Sequence, residues 1–143
     1  SSTKQLIYQL VHLLIDVHWQ FLHESGIINF ILEHFSVLNY SEKLFNLAVI
    51  IKFLSCVPKE LAKSYLTQDT LIIFEDLIDS QYHATTESLI SVLIALSDFE
   101  VLELIRETEI PNKIAEFIDE SDECEKAKEF IELIDKDDTH NGF

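Results

Sequence analysis

Between Ser41 and Ser55 the chain reads Ser-Glu-Lys-Leu-Phe-Asn-Leu-Ala-Val-Ile-Ile-Lys-Phe-Leu-Ser, and from Leu44 onward only Asn46 and Lys52 interrupt an apolar run. A helix on a protein surface shows one apolar stripe, whereas a helix apolar nearly all round must be covered on most sides. This stretch is therefore expected to be a central buried helix, with neighbours before and after it in the chain. Ser41 is placed to cap it, its hydroxyl accepting from an orphan backbone N–H of the first turn.

A chain of 143 residues with 2 glycines and 2 prolines has little of the chemistry that tight turns require. Ordinary usage is about 7% Gly and 5% Pro. Sandwiches and barrels of short strands are thereby disfavoured, and helices joined by short polar loops are expected. The length suits one domain with a real core.

The net charge of −16 is unevenly spread. Up to Glu60 there are four basic and five acidic residues; from Leu61 onward there are six basic and twenty-one acidic. Such a surface repels phosphate, which argues against direct binding of nucleic acid or an anionic membrane and favours a protein or a basic peptide. Cys56 and Cys124 lie in separate segments without zinc or disulfide spacing, so free thiols in a reducing, intracellular compartment (cytoplasmic or nuclear) are expected. No leader pattern opens the sequence, and no uncharged run reaches the roughly 20 residues that span a bilayer. The Ser-Ser start suggests a piece of a longer protein.

Read in order, helices are expected over Lys4–Ile15, Val17–His23 and Ile27–Phe35, the last two separated by Gly26, whose backbone freedom lets a new helix start at an angle. After the central helix, Pro58 opens another through Leu61, Tyr65 and Leu66. Thr67 to Thr70 breaks the pattern before Leu71–Ile78, and Thr86–Ser97 forms a long apolar helix. Asp98 caps a short helix through Ile105, Pro111 sits in the first turn of Ile110–Ile118, and Ser121 to Glu123 leads into a last helix through Ile134.

These segments recur as short, medium and long. The junctions Leu22-His-Glu-Ser-Gly-Ile27, Leu66-Thr-Gln-Asp-Thr-Leu71 and Ile105-Arg-Glu-Thr-Glu-Ile110 each hold two apolar residues five apart around a polar linker. The long segments align at Leu13-Leu14, Phe53-Leu54, Ala95-Leu96 and Leu133-Ile134. A period of roughly 40 residues with three helices per unit is the mark of an armadillo-type solenoid.

The chain accordingly resembles the armadillo and HEAT repeat families over nearly its whole length. Glu24-Ser-Gly-Ile-Ile-Asn-Phe-Ile-Leu-Glu-His-Phe35 looks like the glycine-led second helix of an armadillo unit, and Leu44-Phe-Asn-Leu-Ala48 is similar to a third helix. The later units depart from the pattern, with Asp69-Thr70 and Thr108-Glu109 where the glycine would stand. The resemblance implies an all-α, right-handed α-solenoid of about three three-helix units: a half unit over residues 1–15, units over 16–55, 57–97 and 98–135, and an acidic tail over 136–143. Each unit would hold only because its neighbours shield it.

No catalytic motif, metal ligand set or cofactor loop can be placed, and a non-enzymatic protein without cofactor is expected. His12 and Asp16 share a helix face, but no His-Glu-x-x-His or Cys-x-x-Cys accompanies them. Asp137-Asp-Thr-His-Asn-Gly142 has the first half of a calcium loop without the closing glutamate. Third helices line the inner groove in the armadillo-like families, so the resemblance points to Glu42, Asn46, Glu87, Ser91, Glu125, Glu129 and Glu132 as partner-binding residues for a basic peptide. The Trp and Asn pairs of nuclear-signal receptors are missing; Trp19 lies in a short helix and Asn46 has no tryptophan partner. A second surface is expected on the first helices, where Leu6, Leu10, Leu13, Trp19 and Phe21 lack an upstream neighbour. Its expected cover is a segment outside the sequence, another protein or a second copy in a homodimer. The expected function is a scaffold for protein–protein interaction, with self-association through the apolar N-terminal half as the alternative.

Overall fold

Short polar junctions cut the apolar runs into helices. The computed structural model describes residues 2–121 and 124–141. Its elements are α1 (Ser2–Ser25), α2 (Ile27–Glu33), α3 (Tyr40–Cys56), α4 (Lys59–Ser64), α5 (Gln68–Asp76), α6 (His83–Leu96), α7 (Phe99–Arg106), α8 (Ile110–Ser121) and α9 (Glu125–Asn141). Two 3-10 turns, Phe35–Val37 and Ser80–Tyr82, follow α2 and precede α6. The chain is thus all-α, and no strand occurs among the described residues. Asp122, Glu123, Gly142 and Phe143, read above as linker and tail, lie outside them.

The chain divides into two compact units, Ser1–Ala62 and Lys63–Phe143. The division falls inside α4, two residues from the point where the charge balance changes, so nearly all of the excess negative charge belongs to the second unit.

In the first unit, α1 packs against α3 and α2. Leu47, Val49, Ile50, Ile51, Phe53 and Leu54 of α3 are buried, and Leu44, Phe45 and Ala48 are half-buried, as its apolar run requires. Its cap is Asn39, however, and not Ser41. Asn39 Oδ1 accepts from the Glu42 N–H at 2.9 Å, while Glu42 Oε1 accepts from the Asn39 N–H at 2.9 Å. This reciprocal pair satisfies two backbone donors at once, which a serine two residues on cannot match. At the N-terminus the two expected helices over Lys4–Ile15 and Val17–His23 are both present: they meet inside α1 at a kink, where His18 (φ −126°, ψ 30°) leaves helical geometry, two residues later than the sequence placed the division. Neither glycine nor proline marks this point, and the chain runs directly on into the second segment. It breaks at Gly26, whose φ of 77° lies in the left-handed region that side chains resist.

In the second unit two elements pack on their counterparts one set later. Medium α5 packs on medium α8, and long α6 packs on long α9; short α7 packs on both α8 and α9. Helix starts keep the same spacing, 42 residues from α5 to α8 and 42 from α6 to α9. The core is a stack of stripes: Leu71 and Phe74 of α5, Leu89, Ile90 and Leu93 of α6, Ile110, Ile114 and Phe117 of α8, and Ala127, Phe130 and Ile134 of α9. Polar ties fix the register. Glu75 Oε1 accepts from the Glu109 N–H at 2.6 Å, and Lys113 Nζ donates to the Glu75 carbonyl at 2.9 Å, fastening the end of α5 to the start of α8. Arg106 spans from Glu103 Oε1 to the Ile134 carbonyl, fastening α7 to α9. Asp98 caps α7 through the Val101 N–H, as expected, and also pairs with Lys63. Several boundaries shift: α4 ends at Ser64, before Tyr65 and Leu66; Thr67 caps α5 through the Thr70 N–H, so that α5 begins at Gln68 and not at Leu71; and α6 begins at His83 and not at Thr86. The stretch from Asp137 to Asn141 is the last part of α9, so it does not take the path of a calcium loop.

The capping assignment is checked by two substitutions. Asn39→Ala is expected to destabilise the fold by about 1 kcal/mol, and Ser41→Ala by less than about 0.5 kcal/mol. Urea denaturation followed by circular dichroism measures both; equal losses would return the cap to Ser41.

Candidate interaction surface

α1 is apolar on two sides. One side faces α3: Ile15 is fully buried, and Val11, His12, Trp19 and Leu22 are half-buried. The other side faces solvent. Leu6, Leu10, Leu13, Leu14, Val17 and Phe21 are between 48% and 69% exposed. At 100° per residue, positions 6, 10, 13, 14 and 17 fall within about 100° of arc, one continuous stripe. Phe21 follows beyond the bend at His18. With roughly 100 Å² per exposed side chain, the six present about 600 Å² of apolar surface, at the upper end of what monomeric proteins leave uncovered. Ile27, Phe30, Val37 and Tyr40 add further exposed apolar side chains in the same unit. Phe30 stacks on the His34 ring at 4.2 Å.

Of the residues expected on this surface, Leu6, Leu10, Leu13 and Phe21 are exposed and Trp19 is half-buried. Leu14 and Val17 belong to the stripe as well. Their helical spacing to Leu10 and Leu13 was visible in the sequence, but a helix apolar all round does not say which side faces inward.

The seam under the stripe is polar at one point. His12 and Asp16, one turn apart on α1, meet Lys52 and Cys56, one turn apart on α3. Lys52 Nζ lies 3.0 Å from Asp16 Oδ1, and the Cys56 thiol donates to the same oxygen at 3.3 Å. The hydrogen bond from Lys52 holds the Asp16 carboxyl below its ordinary range, and the same bond raises the Lys52 ammonium. Burial pushes the Cys56 thiol up, and the bond to Asp16 adds to this, so the sulfur stays protonated at neutral pH and is a poor nucleophile. Burial, then the charge of Lys52, lowers the His12 imidazole. Asp16 is therefore engaged within its own chain and leaves the solvent-facing stripe without a charge.

The acidic candidates fall in both units. Glu42 serves the α3 cap, and Asn46 Nδ2 donates to the Glu42 carbonyl at 2.9 Å. Ser91 Oγ donates to the Glu87 carbonyl at 3.0 Å, and the Glu87 carboxylate lies 3.5 Å from His83 Nδ1. Both amide and hydroxyl thus turn back onto their own helices. On α9, Glu125, Glu129 and Glu132 are exposed opposite the buried Ala127, Phe130 and Ile134. Lys128 lies 3.9 Å from Glu125, and Lys126 lies 3.4 Å from Glu129.

Among the described residues, no group of three or more His, Cys, Asp and Glu side chains is arranged to hold a metal ion. Both cysteines are free, Cys56 half-buried and Cys124 buried. No helix of the described residues is long and apolar enough to cross a membrane. Compared with family models, curated proteins and solved structures, the chain matches none.

The His12 environment has a pH signature. With the folded pKa lowered, only the unfolded chain takes up a proton at this site just below about pH 6.5. Its contribution is therefore full above that pH and declines as pH falls toward the lower folded value. Asp16 acts in the opposite range, its contribution being present above the ordinary carboxylate pKa and lost on stronger acidification. Between pH 7 and pH 5.5, wild type is expected to lose stability relative to His12→Gln. A His12 ring resonance titrating at or above the ordinary imidazole value would contradict this.

Proposed function

We propose that this chain is a non-catalytic module for protein–protein interaction that docks a partner on the exposed apolar face of α1. The observation that carries this is the stripe itself: five large apolar side chains in helical register, with Phe21 following beyond the kink, facing solvent on a helix already anchored by its other side. A monomer gains nothing from leaving such a face wet, and covering it removes apolar area from water. The stripe residues themselves carry no charge, which suits a helix or flat apolar surface better than a small polar substrate.

The architecture we propose beneath it is a right-handed solenoid of about three armadillo/HEAT-like units. Support comes from the packing of α5 on α8 and α6 on α9, counterpart on counterpart, and from the even spacing of helix starts, 41 residues from α2 to α5 and 43 from α3 to α6. Stacked repeats bury their faces in this way. The free thiols favour an intracellular setting. The exposed row Glu125, Glu129 and Glu132, in a unit with six basic and twenty-one acidic residues, favours a second and weaker site for a basic peptide.

The full chain as bait tests these surfaces. Leu10→Glu with Leu13→Glu is expected to abolish capture of the partner at physiological salt, with thermal stability unchanged because both side chains are exposed. Reversing Glu125, Glu129 and Glu132 to Lys is expected to remove only salt-sensitive partners. Capture unaffected by either set would reject the interaction reading.

A further inference from the structure

Among the described side chains of α1, the large apolar ones that are exposed stand at positions 6, 10, 13, 14, 17 and 21. Their spacings are four, three, one, three and four, a series that reads the same in both directions. We propose that the occupant of this face is a second copy of the chain, docked as an antiparallel α1–α1 pair about a twofold axis between positions 13 and 14. This rests on the docking reading above and names the partner for that same surface.

Three features carry it. First, a twofold contact requires that residue i meet j while j meets i. On the straight part of α1 the palindromic spacing meets that condition: Leu13 faces Leu14 and Leu10 faces Val17, while Phe21, the counterpart of Leu6, lies beyond the kink. The inner four positions all precede the bend at His18, on the straight part of α1. An unrelated partner places no such demand on the spacing. Second, the size fits. Two copies of roughly 600 Å² bury about 1,200 Å² in total, the lower bound of specific, stable interfaces. Third, the charge fits. Two chains of net charge −16 repel each other, and the excess lies in the Lys63–Phe143 unit. The stripe lies in the nearly neutral unit, and its nearest described acid, Asp16, is paired with Lys52. An apolar contact between two acidic chains should tighten as salt screens their repulsion, whereas a contact with a basic peptide should loosen.

Sedimentation equilibrium of the full chain, at rising concentration and at two salt strengths, gives the first readout. The apparent mass is expected to rise from 16.6 kDa toward twice that value, with at least a several-fold tightening at the higher salt. Leu13→Glu is expected to hold the mass at the monomer value with an unchanged helical spectrum. Register is read by disulfide trapping in a Cys56→Ser background. A mixture of Leu10→Cys and Val17→Cys chains is expected to cross-link 10 to 17. Leu10→Cys alone is expected not to trap, because the two copies of position 10 stand about 10 Å apart along the axis, beyond disulfide reach. A chain monomeric at every concentration, a mass unmoved by Leu13→Glu, or trapping of Leu10→Cys with itself would each overturn the proposal. If the chain is monomeric but Leu13→Glu still abolishes capture of another protein, the second copy is rejected and the docking face stands. If neither changes, both fall.

Discussion

Helices of this length are marginal alone in water, and most of their stability comes from the apolar face each lays on a neighbour. Every element here answers to that constraint. α3, with Val49, Phe53, Leu47 and Ile51 buried across about 200° of its circumference, needs cover on more than one side and receives α1 on one flank. α6 meets the same need with α9. The polar ties act on geometry rather than on the main driving force. Glu75 at the start of α8 and Arg106 at the Ile134 carbonyl decide which turn meets which. α1 is the element in which the constraint is half met, since one apolar side is packed and the other is open. The functional reading follows from that imbalance.

Much of the helix order was legible in the sequence, because the junction residues act locally. Asp98, Pro111 and Gly26 each impose a start or stop that needs no tertiary knowledge, and each does so in the structure. The misread boundaries have physical causes as well. Ser41 and Asn39 are both able caps, and the choice was made by Glu42, three residues after Asn39, which closes the reciprocal pair. The division between the first two helical segments falls at His18, two residues later than the apolar pattern places it, because no glycine or proline marks the point. α6 gains residues 83–85 because the turn Ser80–Tyr82 feeds directly into it, a continuity that composition does not show.

The candidate surface was legible in part for a different reason. Periodicity places Leu6, Leu10 and Leu13 on a common side, but Val11, Ile15 and Trp19 make an equally apolar side. Periodicity does not choose between two such faces. In the structure Ile15 is fully buried, Asp16 beside it meets Lys52 and Cys56 of α3, and the leucines are left outside. The acidic residues show the converse: Asn46 and Ser91 looked available by position, yet their donors close onto the carbonyls one turn back.

Thr70 and Thr86 are the buried polar side chains among the described residues, and Thr86 has a singular job. Its hydroxyl donates to the Asp79 carbonyl at 2.9 Å and accepts from the Asp79 N–H at 3.1 Å, clasping both backbone groups of one residue. The link between α5 and α6 is thereby latched shut at its base. The entry to α6 is held by a side chain of α6 itself, and the turn Ser80–Tyr82 is closed before the helix begins.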